Sequence, residues 1–219
     1  MKSSKLPLLL VLLITLSNCT KTNNPVTQSN LIANYPLMSD GVDKTGLNPD
    51  MMLQNAPFEN GGTYSNGIYD YSSDPNSCII RSPTMDSLKF KSFSISMDFF
   101  ASVNRTQPVW VIGRGCRWLG FYLQDDGTVS LLYNNANSLA TKTTYSLNVW
   151  HNAKISFDGI TVKIFLDSNL AASLDFGTPY VELNYAGCGL SDTEIGVTNY
   201  SNGDVFKGYV RNLLVYSPQ

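Results

Sequence analysis

Histidine and glutamate are scarce in this 219-residue chain, and their scarcity removes several kinds of catalytic and metal site. His151 is the single histidine, and no two cysteines have C-x-x-C spacing, so a zinc site lacks its usual ligands. None of the three glutamates lies in the Glu-x-Asp-x-Glu run that would place two carboxylates on one face of a strand for retaining glycoside hydrolysis. No Gly-x-Ser-x-Gly elbow is present to hold a serine nucleophile.

Charge is also low, because only 15% of the residues are charged and the formal net charge is −2. A soluble protein has about 25% charged residues, so a charge-rich disordered chain is excluded. Without a basic surplus to neutralise phosphates, we expect no nucleic-acid partner. Hydrophobic residues make up 43% of the chain, which is enough for a sizeable core.

The first residues have the composition of an export signal. Lys2 and Lys5 precede an apolar run from Leu6 to Leu16, which is shorter than the about 20 residues of a spanning helix. The following Leu16-Ser17-Asn18-Cys19 resembles a bacterial lipobox, apart from Asn18, where a smaller residue is usual. We therefore expect a lipoprotein signal peptide over 1–18, acylation of Cys19, and an anchor in the outer membrane, on the periplasmic side or at the cell surface. Plain secretion with an incidental Cys19 is the alternative.

Residues 19–30 are polar, and their few apolar residues do not recur at the spacing of a helix or a strand. The sequence therefore predicts a flexible tether here. Three cysteines follow it: Cys78, Cys116 and Cys188. An odd number leaves at least one thiol unpaired, and the sequence does not choose the pairing.

Beyond the tether the pattern is that of strands. In Phe93–Phe99 apolar residues alternate with Ser94, Ser96 and Asp98, as in a half-buried strand. Asp126-Gly127 and Asp158-Gly159 each join two apolar segments, and Asp-Gly favours a two-residue hairpin turn. No stretch beyond the signal has convincing helical period. The sequence therefore predicts an all-β, two-sheet antiparallel sandwich over 31–219.

Four segments, taken in order, resemble the laminin G-like members of the concanavalin A-like lectin/glucanase superfamily. They are SFSISMDFFAS, GFYLQDDGTVSLLY, WHNAKISFDGITVKIFLD and FKGYVRNLLVYS. Trp150-His151, Phe157-Asp158-Gly159 and Phe165-Leu166-Asp167 match the central signature, with Ser168 in place of glycine and Arg211 where an acidic residue is usual. The resemblance implies a jelly-roll sandwich, and it implies that Trp150 and His151 mark the start of a strand and pack structurally.

Two ligand sites are candidates, one from the alternation of a strand and one, for Ca²⁺, from the family resemblance. Trp118 and Tyr122 share the face opposite Leu119, Phe121 and Leu123, with Gly120 leaving a trough between them that predicts a sugar platform. Further candidates around this platform are Arg114, Arg117, Trp110, Tyr133 and Asn135. Plain packing is the alternative for these aromatic residues. For Ca²⁺, the candidates are Asp40 and Asp43 in a glycine-containing loop, with a solvated turn as the alternative.

The sequence thus favours a non-catalytic, carbohydrate-binding lipoprotein of the bacterial envelope, with a glycan as its partner and a membrane reached through the lipid anchor. A protein-binding or adhesive domain is the second reading. A polysaccharide hydrolase or lyase on the same fold is the third, because distant residues can converge in space.

Overall fold

The structure, a computed structural model, describes residues 30–67, 78–82, 92–112, 119–133, 137–178, 193–196 and 205–217. In these ranges every regular element is a β-strand, and none of them contains a helix able to cross a bilayer. The strands are β1 (Asn30–Tyr35), β2 (Met52–Gln54), β3 (Phe58–Glu59), β4 (Gly62–Asn66), β5 (Ile79–Arg81), β6 (Phe93–Ala101), β7 (Gln107–Ile112), β8 (Leu119–Leu123), β9 (Thr128–Tyr133), β10 (Asn137–Thr144), β11 (Trp150–Phe157), β12 (Thr161–Leu166), β13 (Asn169–Asp175), β14 (Thr193–Ile195) and β15 (Lys207–Ser217).

The described strands form two antiparallel sheets. Sheet A has the order β13-β12-β11-β6-β15-β4-β3, and β1 also pairs with β15. Sheet B has the order β10-β9-β8-β7-β14-β5-β2. The two sheets pack face to face; the ring centroids of Phe99 in β6 and Phe121 in β8 are 6.1 Å apart. The predicted all-β sandwich is confirmed, while its jelly-roll connectivity stays a prediction.

Strand β6 shows how alternation builds the core. Phe93, Ile95, Met97 and Phe99 are buried toward sheet B, and Asp98 lies on the opposite face. Successive side chains of a strand point to opposite faces, so each strand needs apolar residues only on the face that packs against the other sheet. Each sheet therefore has an inner face in the core and an outer face.

Both Asp-Gly hairpins form, but neither turn is the expected two-residue Asp-Gly loop. Between β11 and β12 the amide of Asp158 bonds to the carbonyl of Thr161, so Gly159 and Ile160 occupy the two central positions. The Asp158 carboxylate accepts the amides of Ile160 and Thr161 instead. Between β8 and β9 only Gly127 has a positive φ, of 81°. Aspartate thus caps both turns, and glycine supplies the left-handed residue.

Candidate functional site

The outer face of sheet A carries aromatic side chains from four neighbouring strands. Trp150 of β11 is paired with Phe100 of β6, Phe100 with Tyr209 of β15, and Tyr209 with Tyr64 of β4. Successive ring centroids are 5.8, 5.6 and 5.0 Å apart. All four side chains are half-buried. We call Trp150, Phe100, Tyr209 and Tyr64 the aromatic row.

A polar row lies beside it, two residues along each of three strands. Asn152 is paired with Asp98, and Asp98 with Arg211. The Asp98 carboxylate accepts three hydrogen bonds: from Nδ2 of Asn152 at 2.8 Å, Nδ2 of Asn212 at 2.8 Å and Nε of Arg211 at 3.2 Å. Asn212 has a φ of 54°, at a register shift of β15. This unusual backbone directs its amide into the polar row.

Trp150 connects the two rows. The Cζ atom of Arg211 lies 4.0 Å from the centroid of the Trp150 ring, in cation–π geometry. A Cβ atom built on Gly62 would lie 2.8 Å from Cη2 of Trp150, so only glycine leaves room for the indole there. Strands β11 and β4 are three strand spacings apart, about 14 Å in a flat sheet, which is farther than an indole reaches. The outer face of sheet A is therefore concave at Trp150.

This arrangement can stack flat apolar groups and hydrogen-bond their polar edges. Half-buried rings offer apolar contact area, and the neighbouring amides and guanidinium offer donors. Glu59, beside the row, has its carboxylate 3.5 Å from the Tyr209 hydroxyl. Apart from Asn212, these residues occupy paired positions of the strands of sheet A. The strand pairing therefore fixes the distances between them.

The structure corrects the expected exposure of two residues on sheet B. Trp110 is fully buried, because a register shift between Pro108 and Trp110 turns both Val109 and Trp110 into the core. Its Nε1 atom has no hydrogen-bond partner among the described residues. Tyr122 is only 6% exposed, and its ring lies over Gly120, where an added Cβ would be 2.7 Å from Cε2. The trough expected at Gly120 is thus filled by the tyrosine itself.

Tyr133 is also placed differently from the expectation. It pairs with Leu119 rather than with Tyr122, so it shares the inner face with Leu119 and packs against Phe176 at 5.9 Å. The other predicted site residues lie outside the described residues: Cys19, Arg114, Arg117, Trp118 and Asn135. The Trp118 platform therefore stays a prediction, without Tyr122 and Tyr133 as exposed partners.

The contacts of Asp40 and Asp43 do not fit a calcium site. The buried Asp43 carboxylate already accepts five hydrogen bonds from Asn34, Thr45 and Asn48, which saturate both oxygens. Asp40 is 2.9 Å from the ammonium of Lys44. Within the described ranges no group of three or more potential metal-ligating side chains occurs. The Lys44 ammonium would repel a calcium ion at Asp40. The Asp43 oxygens already accept several hydrogen bonds, so few lone pairs remain to coordinate the ion.

The same contacts shift the acidity of Asp43. Burial raises the pKa of Asp43, but the hydrogen bonds from Thr45, Asn34 and Asn48 outweigh this and hold the pKa at about 2. The loop between β1 and β2 is thus organised around an ionised carboxylate of the chain.

His151 has the orienting partner that was not evident from nearby sequence. Its Nδ1 atom lies 2.7 Å from Oδ2 of Asp167, in the turn between β12 and β13. Its Nε2 atom accepts the amide of Ser146 at 3.0 Å. The ring also packs on Phe99, with centroids 5.5 Å apart. Both ring nitrogens are engaged in linking strands and turns, which leaves neither in position to take a substrate proton.

The aromatic row escaped the sequence analysis because its members are far apart in the chain. One signal was available: Phe100 stands on the polar side of the alternation of β6, after Ser94, Ser96 and Asp98. An aromatic residue at a polar position of a strand indicates an outer-face contact or ligand. Pairing it with Trp150, Tyr209 and Tyr64 required the strand order of sheet A.

No protein-family model matches the chain, and no curated protein matches it in sequence. Solved structures do match. Domain 4 of AbnA, a GH43 extracellular arabinanase of Geobacillus stearothermophilus solved with arabinotriose, is 17% identical, with a TM-score of 0.63 over 87% of this chain and 93% of that one. The CBM40 of the Ruminococcus gnavus IT-sialidase, bound to α2,3-sialyllactose, is 18% identical, with a TM-score of 0.52 over 69% and 86% of the two chains.

Trypanosoma rangeli sialidase gives a TM-score of 0.64 at 15% identity, over 85% of this chain but only 30% of the sialidase chain. The three similarities agree with the two described sheets. At these identities they concern architecture alone. The chain folds as an antiparallel β-sandwich, as these structures do.

Proposed function

We propose that this protein is a non-catalytic glycan-binding domain and that the aromatic row on the concave face of sheet A is its binding surface. The observation that supports the proposal most strongly is the continuous set of rings from Trp150 to Tyr64, flanked by the polar row. The row crosses four neighbouring strands, so more than one sugar ring can lie along it.

Sugar rings present C–H faces that pack on aromatic side chains and hydroxyls that need hydrogen-bond partners. Trp150 and Tyr209 supply the first, and Asn152, Arg211 and Glu59 lie where they can supply the second. Two of the similar structures, the arabinanase domain and the CBM40, were solved with oligosaccharides. Membership of the laminin G-like family and a jelly-roll connectivity would be consistent with this function, but the function does not depend on them.

The test is binding of purified protein to an array of defined oligosaccharides, followed by titration calorimetry on the best ligand. Trp150→Ala removes the ring that connects the aromatic row with the polar row, and we expect at least tenfold weaker binding. Phe165→Ala is the matched control, because Phe165 is also half-buried on the outer face of sheet A but outside the aromatic row. Equal binding by both variants, with unchanged melting temperatures, would refute the aromatic row as the site.

Trp118→Ala belongs in the same experiment, since the sheet B platform predicts that this variant loses binding instead. Binding of a protein partner with no glycan on the array would favour the adhesive alternative. Turnover of a polysaccharide by the purified protein would favour the enzyme alternative.

The membrane anchor forms a separate part of the proposal. Acylation at Cys19 would hold the domain at the outer membrane through a polar tether, as the lipobox-like segment predicts. We expect the expressed protein to enter the detergent phase in a Triton X-114 separation and Cys19→Ala to remain in the aqueous phase. Membrane binding that survives this substitution would exclude acylation as the anchor.

A further inference from the structure

Arg211 is held in place before any ligand arrives. Its Nε atom donates to Asp98 at 3.2 Å, and its Cζ atom lies over the Trp150 ring, 4.0 Å from the centroid. Asp98 is itself fixed by Asn152 and Asn212, so the anchor of the arginine is rigid. The side chain of Arg211 is 28% exposed, so part of the guanidinium is accessible from the concave face. Little side-chain entropy remains to be lost when such an arginine binds a ligand.

In the described part of the chain, no acceptor is bonded to the outer edge of this guanidinium. Among the described residues, Nε is the only Arg211 nitrogen with a hydrogen-bond partner, and both terminal nitrogens remain available as donors. Nη1 lies beside Gly61, where an added Cβ would stand in van der Waals contact at 3.5 Å, so glycine leaves more room at this nitrogen than a larger residue would. Two parallel N–H groups in one plane match a carboxylate or a sulfate better than they match a single hydroxyl.

The charges on this face point to the same ligand chemistry. The whole chain has a net charge of −2, yet the outer face of sheet A concentrates basic residues. Besides Arg211, its described outward positions carry Lys154, Lys163 and Lys207. The acidic residues on this face are Asp98, which is already paired, and Glu59 and Asp175 at its two edges. The described outward positions of its strands thus carry one more positive than negative charge, whereas the whole chain has a net negative charge.

We propose that the ligand is an acidic glycan, whose carboxylate or sulfate group binds the free edge of the Arg211 guanidinium while its sugar rings lie on the aromatic row. This inference rests on the proposed glycan binding and specifies its substrate class. A neutral glycan would leave the two terminal nitrogens without a charged acceptor.

The experiment compares two pairs of polymers that differ in charge. Polygalacturonate and its methyl ester test the carboxylate, and dextran sulfate and dextran test the sulfate. We expect the wild-type protein to bind one charged polymer at least tenfold more tightly than its uncharged counterpart. Arg211→Gln should lose at least tenfold of that affinity, and Arg211→Lys should retain part of it, since lysine keeps the charge but not the fork.

Lys163→Gln is the matched control, because it removes one positive charge from the same face away from the aromatic row; we expect a change below twofold. Equal losses in Arg211→Gln and Lys163→Gln would overturn the inference, as would failure to bind either charged polymer. Arg211→Lys and a melting curve for each variant separate a lost contact from a lost fold. Tight binding of neutral oligosaccharides that depends on Trp150 would overturn the acidic ligand while leaving the proposed function in place.

Discussion

Asp43→Asn should be the most damaging single-atom change in the loop between β1 and β2. The wild-type carboxylate accepts five hydrogen bonds, and Asn replaces one acceptor oxygen by an amide that donates. Whichever way the amide turns, it faces at least two N–H or O–H donors. At 4% exposure, water cannot replace the lost acceptor.

The pKa of Asp43 gives the size of the effect. A fall from the ordinary 3.8 to about 2 corresponds to about 2.5 kcal/mol of stability, because one pKa unit is worth about 1.4 kcal/mol. The Asn amide would also face N–H or O–H donors that it cannot accept. We therefore expect Asp43→Asn to lower the free energy of unfolding by about 3 kcal/mol at pH 7. In a domain of this size the melting temperature should fall by about 6–12 °C.

The pH dependence follows from the direction of the shift. A carboxyl whose pKa is lowered by folding stabilises the fold above its unfolded pKa, and this contribution is lost as pH falls through the folded value. The difference in unfolding free energy between wild type and Asp43→Asn should therefore be constant at neutral pH and shrink between pH 4 and pH 2. Urea denaturation followed by circular dichroism at each pH measures it.

Asp40→Asn is the control, because Asp40 is exposed and bonded mainly to Lys44; we expect little change. Equal stability of the two variants at pH 7 would refute the reasoning. The same melting assay with a chelator tests calcium at this loop: we expect an unchanged melting temperature, and a clear fall would show that an ion shares these carboxylates.

Three further substitutions test other parts of the structure. Gly62→Ala should displace the Trp150 indole, because the added Cβ would lie 2.8 Å from it. We expect weaker glycan binding, measured by calorimetry, and a loss of about 1–3 kcal/mol of stability, measured by urea denaturation. His151→Ala should cost about 2–3 kcal/mol, because the amide of Ser146 loses its acceptor and a cavity opens beside Phe99; a loss well under 1 kcal/mol would contradict this account. Cys78 is a buried free thiol whose pKa is raised by burial, so mass-spectrometric mapping should find it unmodified by a thiol reagent in the native protein and modified in urea.

The fold was largely predictable because its strongest signals are local. Alternation in Phe93–Phe99 and the two Asp-Gly pairs each reside in fewer than ten residues, and β6 and both hairpins formed where they were expected. The errors came from features that local pattern does not contain. The register shift beside Trp110 turned two successive side chains inward, and the ring of Tyr122 folded over its neighbour Gly120.

The site was harder to predict than the fold because it is built across strands. Trp150, Phe100, Tyr209 and Tyr64 come from strands that are neighbours only in sheet A. The partner of His151 was missed for a related reason: Asp167 lies beyond a complete strand, and only the pairing of β11 with β12 brings it back. Strand order, rather than residue type, is the information that was lacking.

The placement of β15 has a consequence for how the domain is made. This strand follows every other described strand in the chain, yet it lies in the interior of sheet A, where it pairs with β1, β4 and β6. Until it has been synthesised, β1 has no strand to pair with, and the β3–β4 pair has no link to the rest of sheet A. The loop closure that brings β1 to β15 spans nearly the whole described part of the chain. A nascent chain that lacks β15 therefore keeps sheet A open, and the sandwich assembles only once β15 is available.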